Sequence, residues 1–267
     1  MDLEDLRAIP AWEWPKYTAD LIRDTLENQQ SGESVRELAA HMAGDLTVMS
    51  DDFAALLLKI IADSGEPDRL RGVAAISLGP VLEMAYLAME DFDDEAITGP
   101  MFERILETLK SLYFDEKTPK EVRRRILEAA VRAPQDWHEE AVRKAYEAGE
   151  KDWRITAIFC MGLLPKFERE ILAELKNPDV DLHREAILAA GGRELHAAWA
   201  HVSALLGDRA APKNLRLAAI EASASIQPKK AKPILIKLAD SRDEEIAEAA
   251  EDALAMTDDF TDSGEWE

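Results

Sequence analysis

The chain has 267 residues, 47% of them hydrophobic, and 54 acidic side chains against 32 basic ones, for a formal net charge of −22. That apolar fraction is enough for a packed core and excludes a globally disordered chain. One cysteine excludes a disulfide framework and any zinc site built on several thiolates. The acidic start MDLEDLRAIP does not read as a secretory signal. The apolar run ITAIFCMGLLP (155–165) is too short to span a bilayer. A soluble, cytoplasmic protein is expected.

Along the chain, one pattern returns seven times: SVRELAAHMAG (34–44), RLRGVAAISLG (69–79), EVRRRILEAAV (121–131), DWRITAIFCMG (152–162), DLHREAILAAG (181–191), NLRLAAIEASA (214–224) and EIAEAAEDALA (245–255). An apolar residue precedes a key position held by Arg36, Arg71, Arg123, Arg154, His183 and Arg216, with Ala247 in the last copy. Eight residues further on stands a small residue: Gly44, Gly79, Gly162, Gly191, Ala224 and Ala255, with Val131 as the exception. The key positions are 35, 52, 31, 29, 33 and 31 apart, so the second interval holds an insertion, placed at about 80–100.

Before each copy lies a second amphipathic stretch. MFERILETLKSLY (101–113) puts Phe102, Ile105, Leu106, Leu109 and Leu112 on one helical face. YTADLIRDTLEN (17–28), DFAALLLKIIAD (52–63), EEAVRKAYEAG (139–149), EREILAELK (168–176), AWAHVSALLG (198–207) and KPILIKLAD (232–240) read alike. Turn signals such as Asn177-Pro178-Asp179 and Lys117-Thr118-Pro119 separate the two members of a pair. No segment alternates long enough to be a strand. The expectation is all-α: about seven antiparallel helix pairs in one array over 1–256, then an acidic, disordered tail over 257–267.

The segment KNPDVDLHREAILAAGG (176–192), with Asn-Pro-Asp in its turn, a basic residue and then small residues, resembles a HEAT repeat of the bacterial HEAT-like kind. The resemblance runs over roughly 17–256 and implies a right-handed α-solenoid whose second helices line a concave surface. It also implies that the key residues Arg36, Arg71, Arg123, Arg154, His183 and Arg216 form a structural ladder bonding to an Asp or carbonyl at the turns, with Asp179 and Asp208 as partners. A strip for phosphates is the weaker reading of the same residues.

Site chemistry is sparse. His196 and His201 are five apart and do not share a helical face, and HExxH is absent, so no metal is expected. The acidic stretch Glu90–Glu95 fails as an EF-hand, since Ala96 and Phe102 stand where Gly and Glu are needed. Cys160 reads as inert core, and no nucleophile–base set or nucleotide loop can be assembled, so neither catalytic residue nor cofactor is expected. In Arg123-Arg124-Arg125, pairing with Glu121 and Glu128 one turn away is favoured over an acidic partner. Trp12 and Trp14 are expected to close the open end of the core, and Phe260 and Trp266 sit in the acidic tail.

Positions one and five after the key should face the groove. Ile155, Phe159, Leu188 and Leu217 make its middle apolar, with Arg124 and Arg184 beside them. The alternative is that these residues are core. The expected function is a non-catalytic protein-protein interaction scaffold that binds a protein or peptide. Two alternatives come from HEAT-like relatives: a phycobilin-lyase-like enzyme or enzyme subunit, and a nucleic-acid-binding DNA-repair protein. Overall acidity opposes nucleic acid. However, residues 101–237 hold 21 acids and 24 bases, so the acidity belongs to the two ends and the central repeats are nearly neutral.

Overall fold

The computed structural model describes residues 2–46, 48–88 and 97–262, and no strand occurs among them. The chain divides into two compact units, Met1–His138 and Glu139–Glu267.

The first unit opens with α1 (Leu3–Arg7), held by a reciprocal cap in which Asp2 and Asp5 each accept the other's backbone N–H. The Trp14 indole N–H donates to the carbonyls of Leu6 (2.9 Å) and Ile9 (3.2 Å), which ties the arm down, whereas Trp12 is 82% exposed and closes nothing. Three pairs follow: α2 (Thr18–Glu27) with α3 (Glu33–Ala43), α4 (Asp51–Ala62) with α5 (Asp68–Ser77), and α7 (Gly99–Phe114) with α8 (Lys120–Ala130). The second helices α3, α5 and α8 pack in succession. Ile22, Leu26, Phe53, Leu57, Ile61, Leu70 and Ile105 are fully buried between them.

The insertion begins as a helix. After a break at Leu78, α6 (Gly79–Leu87) carries Pro80 in its first turn, where no N–H is needed, and lies on α8. Arg132 pairs with Glu83 of α6. Asp68–Leu87 is long and apolar enough by composition to cross a membrane, but most of it is buried inside the protein. Residues 89–96, with the acidic loop, lie outside the described residues.

The second unit comprises α9 (His138–Glu147), α10 (Lys151–Leu163), α11 (Glu168–Glu174), α12 (Val180–Gly192), α13 (Trp199–Gly207), α14 (Lys213–Ile226), α15 (Pro228–Ala239) and α16 (Glu244–Asp262). Here α10, α12, α14 and α16 stack in succession, with α11, α13 and α15 as first helices of their pairs. The recurring small residue explains how closely they approach. A Cβ on Gly162 would stand 3.0 Å from Ala189 Cα, and one on Gly191 would stand 2.9 Å from Ala222 Cα. The last helix continues to Asp262, six residues into the segment expected to be a tail; 263–267, with Trp266, lie outside the described residues.

Neighbouring second helices are also clamped at their starts. Lys151 Nζ reaches Asp179 (2.8 Å) and Asp181 (2.7 Å), and Lys213 Nζ reaches Asp243 (2.7 Å) and Glu245 (3.0 Å). Each lysine stands three residues before its key position and meets acids four and two residues before the next one.

One buried group sets an acid limit on stability. His138 is fully buried; its Nδ1 accepts the Gln135 N–H (2.9 Å), and its Nε2 has no partner among the described residues. Burial, helped by the charge of Lys110, pushes its pKa down to about 4. Below the ordinary value of 6.5 the unfolded chain takes up a proton that the folded chain refuses until about pH 4. Unfolding free energy is therefore expected to fall by about 3 kcal/mol between those limits. Urea titrations at several pH values should show that slope in the wild type and a shallower one in His138→Asn.

Candidate functional site

The key basic residues show how successive pairs are joined. Arg36 leaves α3 and donates from Nε (3.1 Å) and Nη2 (2.9 Å) to the Leu26 carbonyl at the end of α2. Its other N–H groups form a two-pronged bond to Glu66 in the next pair's turn, at 2.6 and 2.8 Å. Both side chains are buried, and the bond from Arg36 holds the Glu66 carboxyl below its usual range. Arg71 repeats the first half, with Nε donating to the Ile61 carbonyl, again ten residues back, at 2.9 Å.

In the second unit Arg154 lies over the Tyr146 ring (4.8 Å to the centroid) and bonds to Glu174 of α11. Burial opposes ionisation of Glu174, but hydrogen bonds from Tyr146, Arg154 and Asn177 outweigh it and keep its pKa low. His183 takes a different partner, His201 of α13, with Nε2 to Nε2 at 2.6 Å. Burial lowers both imidazole pKa values. At Arg123 and Arg216 the Nε is buried with no hydrogen-bond partner among the described residues.

The expected acceptors Asp179 and Asp208 are corrected by this geometry. Asp179 caps α12, accepting the N–H groups of Asp181 (3.0 Å) and Leu182 (3.3 Å), and takes Lys151 rather than a key residue. Asp208 accepts the Ala210 N–H in its own turn (2.8 Å). A short acid that can reach backbone amides two or three residues ahead is claimed locally. The glutamates that do the joining, and the His183–His201 contact, were missed because they stand 30, 20 and 18 residues away at no fixed interval.

Arg124 takes the pairing that the one-turn spacing favoured. It is buried, and its guanidinium bonds Glu121 (2.6 Å) and Glu128 (3.0 Å), while Arg125 bonds the same two acids. The other candidates lie on α10, α12 and α14: Ile155, Phe159, Leu188 and Leu217 are half-buried, and Arg184 is exposed.

Clefts open beside the second helices. In the first unit a cleft of about 580 Å³ is bounded by His41, Arg69, Gly72, Ile76, Glu121 and Arg125. A side chain at position 72 would press on Arg125, since its Cβ would lie 3.1 Å from Arg125 Cγ. At His41 this cleft meets another of about 310 Å³ lined by Arg7, Trp14, Met42 and Asp45. In the second unit a cleft of about 300 Å³ is lined by Leu188, Gly191, Glu194, Glu221, Ala222 and Met256. His41, Ile76, Leu188 and Glu221 all stand five residues after a key position. Among the described residues no group of three or more His, Cys, Asp or Glu side chains converges as a metal site would require.

No family model matches the chain, and no curated protein does. Among solved structures it is similar to YibA of Escherichia coli, with 16% identity over 92% of this chain and 84% of that one, and a TM-score of 0.44. It is also similar to human deoxyhypusine hydroxylase in complex with glycerol, with 18% identity over 96% and 88% of the two chains and a TM-score of 0.41. An engineered protein shares 13% identity over 90% of this chain and 78% of its own, with a TM-score of 0.40. With its helix pairs, successively packed second helices and onward bonds to the next pair from Arg36, Arg154 and His183, the chain has an all-α helical repeat fold.

Proposed function

We propose that the protein is a non-catalytic interaction scaffold that receives a segment of a protein partner along the exposed face of its second helices. The observation that carries this reading is positional. The fifth residue after the key lines a cleft on α3, α5, α12 and α14, so the same repeat position supplies recessed surface in both units. Repeat proteins bind extended partners on such serial surfaces, because each repeat adds one similar patch to the last. Recessed, half-apolar positions between charged rims suit side-chain anchors from a partner.

A photo-crosslinking residue at Ile76 or Leu188 is expected to capture the same partner in the native cell. The same residue at Lys110 of α7 or Lys237 of α15, both exposed on first helices, is expected to capture none of it. Equal capture from the first-helix positions would sink the assignment. Phe159→Glu and Leu188→Glu separate groove from core: a folded variant that no longer captures the partner supports the groove, and an unfolded one makes these residues core.

A further inference from the structure

The cleft between α12, α14 and α16 differs from those of the first unit in chemistry. Leu188 and Met256 give it apolar walls, and Gly191 and Ala222 keep its floor low. Among the described residues, its two charged ones, Glu194 and Glu221, are both acidic, and no basic residue lines it. Among the described residues neither carboxylate takes part in an ion pair or side-chain hydrogen bond. The arginine-lined cleft of the first unit, by contrast, has both its acids paired, Glu121 with Arg124 and Arg125 and Asp68 with Arg71.

The end of α12 adds to the negative potential. The last carbonyls of a helix carry a partial negative charge, and Gly191 and Gly192 of that last turn line the cleft. The chain leaves the helix through Glu194 at φ 51°, where its N–H bonds to the Gly191 carbonyl and that of Leu195 bonds to Ala190. That is the left-handed position at which helices ordinarily place glycine. Here a glutamate occupies it and lines the cleft.

We propose that this cleft takes an arginine side chain from a basic segment of the partner protein. A guanidinium satisfies two carboxylates through separate N–H groups, and its three-carbon stem can lie along Leu188 and Met256. Exposed Glu248 and Asp252 on α16, also without ion-pair partners among the described residues, extend the same complementarity to further basic residues of that segment. The proposal rests on the second-helix face being the docking face.

The test uses the full chain and a fluorescein-labelled amphipathic peptide carrying leucine and arginine, beside its twin with citrulline in place of each arginine. The arginine peptide is expected to bind, with affinity that falls as salt rises, and the citrulline peptide to bind about tenfold more weakly or worse. Glu194→Gly is expected to raise Tm, because glycine suits the left-handed position, yet to weaken the arginine peptide about tenfold; Glu221→Gln should weaken it similarly. Equal binding of the two peptides, unchanged binding in Glu194→Gly, or no binding of either peptide overturns the proposal. Binding that survives Glu194→Gly and Glu221→Gln but is lost in Leu217→Glu leaves the docking face standing and removes the arginine cleft. Dimerisation of the chain that Glu221→Gln abolishes, with no peptide bound, assigns the cleft to a second copy and also overturns it.

Discussion

Glu66→Ala is expected to lower the unfolding free energy by about 3–5 kcal/mol, the usual cost of removing one member of a buried ion pair. Arg36 and Glu66 keep only 6% and 7% of their side-chain surfaces exposed, and their bond is two-pronged. Truncation leaves a guanidinium whose remaining acceptor is the Leu26 carbonyl, and it also strands the Gln29 amide, which donates to Glu66 Oε1 at 2.9 Å. Arg36→Met with Glu66→Leu removes both charges together, and that double variant is expected to lie within about 1–2 kcal/mol of the wild type. Urea denaturation of Arg36→Met, Glu66→Leu and the double variant closes the cycle; additive losses would show that the pair is not coupled.

The pH dependence of this joint follows from its sign. The Glu66 pKa is lowered by Arg36, so its contribution is complete above the unfolded glutamate value of about 4.3 and is lost as pH falls through the lower folded value. The His138 slope is expressed between 6.5 and about 4. The wild type should therefore lose stability in two acid stages, the upper one smaller in His138→Asn and the lower one smaller in the Arg36→Met, Glu66→Leu double variant.

How far the fold can be read from the sequence depends on whether a requirement is periodic. The key residue, the apolar positions and the small residue eight places on recur because each second helix meets its neighbours in the same way. The copies around Arg71, Arg154 and His183 therefore announce α5, α10 and α12. Helix α6 is not announced: Leu78-Gly79-Pro80 reads as a helix stop, yet proline fits the first turn of a new helix. The acceptors of the key residues escape for a different reason. A carbonyl serves Arg71, glutamates serve Arg36 and Arg154, and a second histidine serves His183, so the donor position is conserved along the array while the acceptor's type and interval are not. Spacing alone also picks out Ile76 and Leu188, which line clefts. At Arg124 the one-turn spacing to Glu121 and Glu128 on its own helix is what the guanidinium follows. Glu194 carried no sequence signal, since a single glutamate after Gly-Gly-Arg looks like loop.

The small residue at the eighth place leads to the other large effect. Gly191→Val is expected to cost about 3 kcal/mol or more, and Gly191→Ala about 1–3 kcal/mol, although alanine is the better helix former by about 1 kcal/mol. A Cβ at 191 would lie 2.9 Å from both Cα and Cβ of Ala222, so α12 and α14 must separate before either residue fits. Valine adds two methyl groups at the point of closest approach, and because interiors are close-packed the separation opens voids along the whole crossing. Gly207→Ala is the matched control: a Cβ there meets nothing within 4 Å, and the variant is expected to gain a few tenths of a kcal/mol or more from a stiffer unfolded chain. Ala222→Gly in the Gly191→Ala background should restore only part of the loss, because it removes one of the two contacts at 2.9 Å and leaves the backbone Cα in place. Denaturation midpoints of these variants decide the matter. A Gly191→Ala protein as stable as the Gly207→Ala protein would mean that this glycine does not set the approach of the two helices.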